Sequence, residues 1–180
     1  MPEIYIYNKR ECDTKKCTAA KLGRLRLAKL VYHIQKIPRS SVILYPFSDC
    51  VVSPGDREQA VRASLAAIDC SWNSFQPIKM PGTLLARKLP FLLAANPTNY
   101  SIPYKLSTLE ALAAALYIMG FKEQAQELLS KVKWGGTFLT LNEEPLYLYS
   151  SASNPAEILE IEKGYLSEYS NQKVRSSTIV

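Results

Sequence analysis

Histidine is almost absent from this 180-residue chain, with His33 the single example. A Ser–His or Cys–His nucleophile pair needs an imidazole and a third group to orient it, and His33 falls in a helical pattern without such a group. Cysteine is scarce too: Cys12, Cys17, Cys50 and Cys70 are the four. Only Cys12 and Cys17 are close, and a structural zinc site wants further thiolates or histidines at short spacing, so no metal is expected. The glycine signatures of nucleotide binding are missing, because neither G-x-G-x-x-G nor a Walker loop occurs and Gly135-Gly136 lies between helical stretches. No apolar run approaches the roughly 20 residues of a membrane helix. Met1-Pro2-Glu3-Ile4 carries no basic region followed by an apolar one, so no signal peptide is expected and the chain is read as cytoplasmic with reduced thiols.

What is present is enough apolar material for a sizeable core, 47% of residues, and a net charge of +6 with a pI near 9.1. Such a charge admits RNA, DNA or an acidic membrane surface, and equally a basic surface with no partner. The cations concentrate in the first half (Lys9-Arg10, Lys15-Lys16, Lys21, Arg24, Arg26, Lys29, Arg87-Lys88), which favours RNA.

Ile4-Tyr5-Ile6-Tyr7 reads as a first strand. After a polar loop, Thr18 is the expected N-cap of one or two helical pieces carrying Leu22, Leu25, Leu27, Leu30, Val31 and Ile34, stopped by Pro38. Val42–Tyr45 is a short buried strand ended by Pro46. Ser53-Pro54-Gly55-Asp56 starts a helix to about Arg62. Ser64–Ile68 is a strand with Asp69 at its carboxyl end. The continuous apolar run Phe91–Ala95 is expected to be a strand covered on both faces. Ser107-Thr108-Leu109-Glu110 is a capping box that opens a helix to Gly120. Helices follow near 121–132, 137–141, 144–150 and 155–169, and the polar tail 170–180 is expected to be disordered. Strands alternating with helices over the first 120 residues argue α/β, a parallel sheet with crossover helices. Residues 1–62 form an N-terminal part with the RNA-facing basic surface, and residues 63–169 the remaining unit.

Ligands of open α/β sheets sit outside the carboxyl ends of the strands. Leu44-Tyr45-Pro46, Asp69-Cys70-Ser71-Trp72 and Ala94-Ala95-Asn96-Pro97 occupy such ends. A carboxylate closing a buried strand is costly unless paired or used. Asp69 is therefore a base or ligand contact, or else a helix cap or ion-pair partner. Trp72 is a stacking surface or part of the core.

The same segments carry a family resemblance. Cys17-Thr18-Ala19-Ala20-Lys21-Leu22, Leu44-Tyr45-Pro46, Ser53-Pro54-Gly55-Asp56, Asp69-Cys70-Ser71-Trp72, Ala94-Ala95-Asn96-Pro97-Thr98-Asn99-Tyr100, Leu106-Ser107-Thr108 and Trp134-Gly135 occur in this order between residues 4 and 150. They resemble the archaeal and eukaryotic aminocarboxypropyltransferases that modify a pseudouridine of small-subunit ribosomal RNA. The family shows Gly after its Asn-Tyr, where this chain has Ser101.

The resemblance implies a SPOUT-like parallel sheet with a C-terminal trefoil knot in the 63–169 unit, followed by an all-helical C-terminal part. It implies S-adenosyl-L-methionine as cofactor and transfer of its 3-amino-3-carboxypropyl group to a ring nitrogen of an N-methylated pseudouridine. The partner would be small-subunit rRNA or a pre-ribosomal subunit, met by a monomer in ribosome biogenesis. Leu44, Pro46 and Trp72 would sandwich the adenine, with backbone near Leu92 and Ser107 at its edge. Thr18 would hold the ribose. The helix start at Thr108 and Ala111 would take the carboxylate. Trp72 and Phe75 would wall off the methyl group. Asp69 would be the catalytic carboxylate, either deprotonating the ring nitrogen or holding the ammonium. Lys15, Lys16, Lys21, Arg24, Arg87 and Lys88 would contact RNA phosphates. The competing expectations are a SPOUT-type RNA methyltransferase and a non-catalytic RNA-binding assembly factor. On the leading one, Trp72→Ala weakens S-adenosylmethionine binding by about 1–3 kcal/mol through lost stacking, measured by calorimetry, whereas unchanged affinity assigns Trp72 to packing.

Overall fold

Alternation sets the first strand. In β1 (Ile4–Asn8) the side chains of Ile4 and Ile6 are buried while Tyr5 and Tyr7 are half-buried on the opposite face. The computed structural model describes residues 1–9, 17–70 and 76–177, with backbone alone from residue 172. Lys15, Lys16, Trp72 and Phe75 lie outside the described residues.

The chain continues through α1 (Thr18–Arg24), β2 (Lys29–Val31), β3 (Val42–Leu44), α2 (Arg57–Arg62), β4 (Leu65–Asp69) and β5 (Leu85–Arg87). It ends in α3 (Thr108–Ile118), α4 (Lys122–Leu129), α5 (Gly135–Leu141), α6 (Glu143–Ser151) and α7 (Pro155–Ser177). The five strands form one parallel sheet in the order β2-β1-β4-β3-β5. The registers set Asn8 beside Asp69 and Leu44 beside Ala67, so the carboxyl ends of β1, β4 and β3 are neighbours.

The larger core cluster joins Ile4, Ile6, Leu65 and Ala67 of the sheet to Leu109, Leu112, Leu116 and Phe138 of the helices. The smaller one, built on Ile37, Ile43, Ala66 and Leu84, covers the other face. Gly135 opens α5 because a Cβ there would come within 2.0 Å of the Leu129 carbonyl oxygen at the end of α4.

Several expectations need correction. The SPOUT-like sheet with a C-terminal trefoil knot gives way to a mixed α/β fold. Every described strand of the sheet lies within residues 4–87, and the chain beyond contributes helices. The run Phe91–Ala95 is buried but is no sheet strand, and Leu93 forms one isolated bridge to Pro103. Its backbone is shared between the returning chain and side chains: the Ala94 N–H donates to the Ile102 carbonyl (3.2 Å), and the Ala94 and Leu92 carbonyls accept the N–H groups of Ser101 (2.7 Å) and Tyr104 (3.0 Å). Asn142 accepts from the Leu93 N–H (2.8 Å) and donates to the Leu93 carbonyl (2.9 Å), as a neighbouring strand would.

The helical reading of residues 18–34 holds only to Arg24. Arg26, at φ +57°, turns the chain away, and Lys29–Val31 pairs with β1 as an edge strand. The tail expected to be disordered is helical as far as Ser177.

Glu110 secures the start of α3. It is 0% exposed. One carboxylate oxygen accepts the N–H groups of Ala95 (2.7 Å) and Asn96 (3.0 Å). The other accepts from the Asn96 side-chain amide (2.8 Å) and the Ser107 N–H (2.6 Å). Four donors offset the desolvation of the charge. Removing the carboxylate strands them all, so Glu110→Ala is expected to cost about 3–5 kcal/mol in denaturant unfolding, with Glu110→Gln in between because its amide turns a donor toward donors. A loss within about 1 kcal/mol for Glu110→Ala contradicts this.

Candidate active site

Two helix starts converge on the end of β4. At α1 the N-cap is Cys17, not Thr18: its sulfur accepts the Ala20 N–H at 3.4 Å. The Cys17 thiol in turn donates to Asp69 Oδ2 at 3.3 Å. From α3, the Thr108 hydroxyl donates to Asp69 Oδ1 at 2.8 Å. Asp69 is only 5% exposed. Both of its oxygens are thus held by uncharged donors, which fixes the plane of the carboxylate and leaves it no Lys or Arg partner among the described residues. Each oxygen keeps further acceptor capacity.

The start of α3 is the complementary half. Ser107 caps it through a reciprocal box, its hydroxyl accepting the Glu110 N–H (3.3 Å) while its own N–H donates to Glu110. The first-turn N–H groups of Thr108 and Leu109 have no hydrogen-bond partner among the described residues. Helix starts offer such groups to anions. An anion-holding helix start beside an oriented carboxylate matches the two charged ends of an amino acid.

Thr18 is half-buried as the first residue of α1. Leu44 is buried at the end of β3, and Pro46 just beyond it is exposed. Leu92 is fully buried, and its carbonyl accepts the Tyr104 N–H at 3.0 Å. Ala111 is half-buried in the first turn of α3. Asp69, Thr108 and Cys17 are joined by hydrogen bonds, with Ser107 and Ala111 alongside on α3. Trp72 lies outside the described residues.

Sequence reasoning missed Cys17, weighing it only as a metal ligand; its signal was the position three residues before the Ala20 N–H at a helix start. Tyr45 was also missed. Its hydroxyl exchanges hydrogen bonds with the Ile78 carbonyl and N–H, both at 3.1 Å, and so ties the end of β3 to the segment around Ile78.

Of the expected phosphate contacts, Arg24 is exposed and Lys21 and Lys88 are half-buried. Arg87 is committed elsewhere. Its Nε donates to Asp56 at 2.9 Å with the Asp56 side chain 8% exposed, so the pair belongs to the fold. The phosphate contact expected of Arg87 is withdrawn. Lys15 and Lys16 lie outside the described residues.

Residues 42–166 match the family described as "Ribosome biogenesis protein, C-terminal". The 16S rRNA aminocarboxypropyltransferase of Methanothermobacter thermautotrophicus is 46% identical over 169 residues, covering 91% of this chain and 98% of that protein. The protein of the same name from Methanocaldococcus jannaschii is 42% identical over 170 residues, covering 92% of this chain and 97% of its own. Among solved structures, the SAM-dependent rRNA:acp-transferase Tsr3 from Vulcanisaeta distributa superposes with a TM-score of 0.80 at 41% identity, covering 89% of this chain and 88% of that one. The likeness to that structure supports the mixed α/β reading of the fold. Since the matches run through the Asp69 strand and the Glu110 helix and span nearly the full length of each relative, the chain belongs to the 16S rRNA aminocarboxypropyltransferase family of ribosome biogenesis proteins.

Proposed function

We propose that this chain is an S-adenosylmethionine-dependent rRNA aminocarboxypropyltransferase of ribosome biogenesis, modifying a ring nitrogen of an N-methylated pseudouridine in 16S rRNA. It works as a monomer in the cytoplasm. The observation that carries the reading is the pairing of Asp69 with the start of α3, a charge pattern complementary to an amino-acid group. Bound S-adenosylmethionine supplies a sulfonium whose three attached carbons are all electrophilic, and positioning decides which one reacts.

The chain's own residues do that positioning. Asp69 takes the ammonium or the proton of the ring nitrogen. The Thr108 and Leu109 N–H groups take the carboxylate. Leu44, Pro46 and Trp72 sandwich the adenine, backbone near Leu92 and Ser107 reads its edge, Ala111 lies beside the carboxylate, and Thr18 reaches the ribose. These donors and walls fit the cofactor: one anion, one helix start and an apolar strand end. Lys21, Arg24 and Lys88, with Lys15 and Lys16, meet RNA phosphates.

Cofactor labelled separately in the methyl and the carboxyl carbon tests the reaction. Label enters RNA from the carboxyl carbon; label arriving from the methyl alone assigns a methyltransferase and ends this reading. Asp69→Asn separates its two tasks. As a base, Asp69 contributes about 100-fold or more to transfer with cofactor affinity unchanged; as a ligand, its loss lowers affinity and transfer together.

The donors to Asp69 are positioning residues. Thr108→Val removes a hydrogen bond to a charged acceptor and is expected to weaken cofactor binding by about 1.5–3 kcal/mol in calorimetry, with Thr108→Ser restoring it. Equal affinity in all three proteins would leave the Thr108 hydroxyl without a role.

A further inference from the structure

On the helical side of the molecule, α6 and α7 flank an open cleft of about 580 Å³ with Phe91 and Leu93. None of the residues assigned above to cofactor or RNA lines it. Its walls are Phe91, Tyr117, Tyr147 and Tyr165, with the carboxylates Glu143 and Glu144 in the first turn of α6.

The walls are fixed in place. The Tyr165 ring stacks on Phe91 (6.3 Å between centroids, 3° between planes) and meets Tyr149 edge-on at 6.4 Å. Leu93 is clamped on both its N–H and its carbonyl by Asn142. Tyr147 is 59% exposed and Glu143 and Glu144 are exposed, so rings and charges are open to a partner.

The charge of this half of the chain differs from that of the rest. Residues 101–180 hold nine carboxylates against seven lysines and arginines, whereas residues 1–100 hold seven against fifteen. The field is felt locally: the Tyr165 hydroxyl is pushed up to about 12 by burial and then by the negative charge of Glu144. Phosphate is repelled by such a lining. A cation with a flat, weakly hydrated head is attracted by it, since tyrosine faces draw cations and carboxylates bind guanidinium in a planar fork. The molecule makes a related contact itself, with the Lys122 ammonium 4.9 Å from the centre of the Tyr117 ring. A lysine head is compact and strongly hydrated, whereas guanidinium both stacks and forks.

We propose that the cleft between Tyr147, Tyr165, Glu143 and Glu144 is a docking site for an arginine side chain on a basic protein segment, separate from the face that meets RNA. It does not depend on the role of Asp69. The partner lays an extended, positively charged stretch across α6 and inserts arginine between the rings. The basic half of the chain stays available to rRNA while the acidic half holds a protein.

Titration of the full chain with a short Arg-Gly repeat peptide, followed by calorimetry at low salt, tests this. Saturable binding at a single site is expected, weakened about 10-fold by Tyr147→Ala and by the double substitution Glu143→Gln/Glu144→Gln. Tyr147 is exposed and glutamine retains hydrogen-bonding capacity, so both variants keep the fold, verified by an unchanged unfolding midpoint. Their aminocarboxypropyl transfer to a short rRNA fragment is expected to equal that of the parent. Absence of saturable binding overturns the proposal, as does equal affinity in parent and variants. A single-stranded RNA oligonucleotide whose binding falls in the same variants overturns it as well, by making the cleft part of the RNA face.

Discussion

A fully buried carboxylate organises this protein. Glu110 is fully enclosed and would be costly there but for the four N–H groups that surround it. Two belong to the backbone of Ala95 and Asn96, one to the Asn96 side chain and one to the cap of its own helix. The bonds fasten an irregular segment to the start of α3. That segment lies outside the parallel sheet, and its backbone pairs only locally with residues 101–104, so side chains supply the rest of its hydrogen bonds. Without Glu110 the loop and the helix start would be independent, and the position of Thr108 relative to Asp69 would be loosened.

Asp69 stands across the same helix turn with the opposite arrangement. Two neutral donors orient it, and neither saturates its oxygens. One buried acid therefore serves structure with its hydrogen-bonding filled, and the other is aimed and left receptive. The parallel sheet makes this possible by delivering Asp69 to its carboxyl edge beside Asn8 and near Leu44. Functions that need an oriented anion and a helix start within reach of each other follow from that topology.

Much of this was legible in the sequence where a signal is local. The strand that ends in Asp69, the cap at Ser107 and the start at Ser53-Pro54 are set by residues within a turn of one another, and they appear where expected. The family resemblance also held. What failed depends on distant partners. Phe91–Ala95 is apolar because helices bury it, and burial alone does not distinguish a strand from a segment whose backbone bonds to Asn142 and Glu110. Lys29–Val31 carries leucine at a spacing that suits a helix, but pairing with β1 prevails over that pattern. Glu110 was legible as a capping residue, while its grip on Ala95 and Asn96 was not, since nothing in the local pattern points fifteen residues back. Arg87 looked like a free cation and is bound to Asp56. Knot topology, taken from resemblance alone, had no local signal to support it.

In the proposed function, Asp69 and the start of α3 hold the two charged ends of one amino-acid group and turn its side-chain carbon toward RNA. A crystal structure of the chain with S-adenosylmethionine tests this most directly. The expected result is the ammonium within hydrogen-bonding distance of Asp69, the carboxylate on the Thr108 and Leu109 N–H groups, and the methyl group buried. A cofactor seated with its methyl group facing solvent and its amino acid away from Asp69 would contradict it.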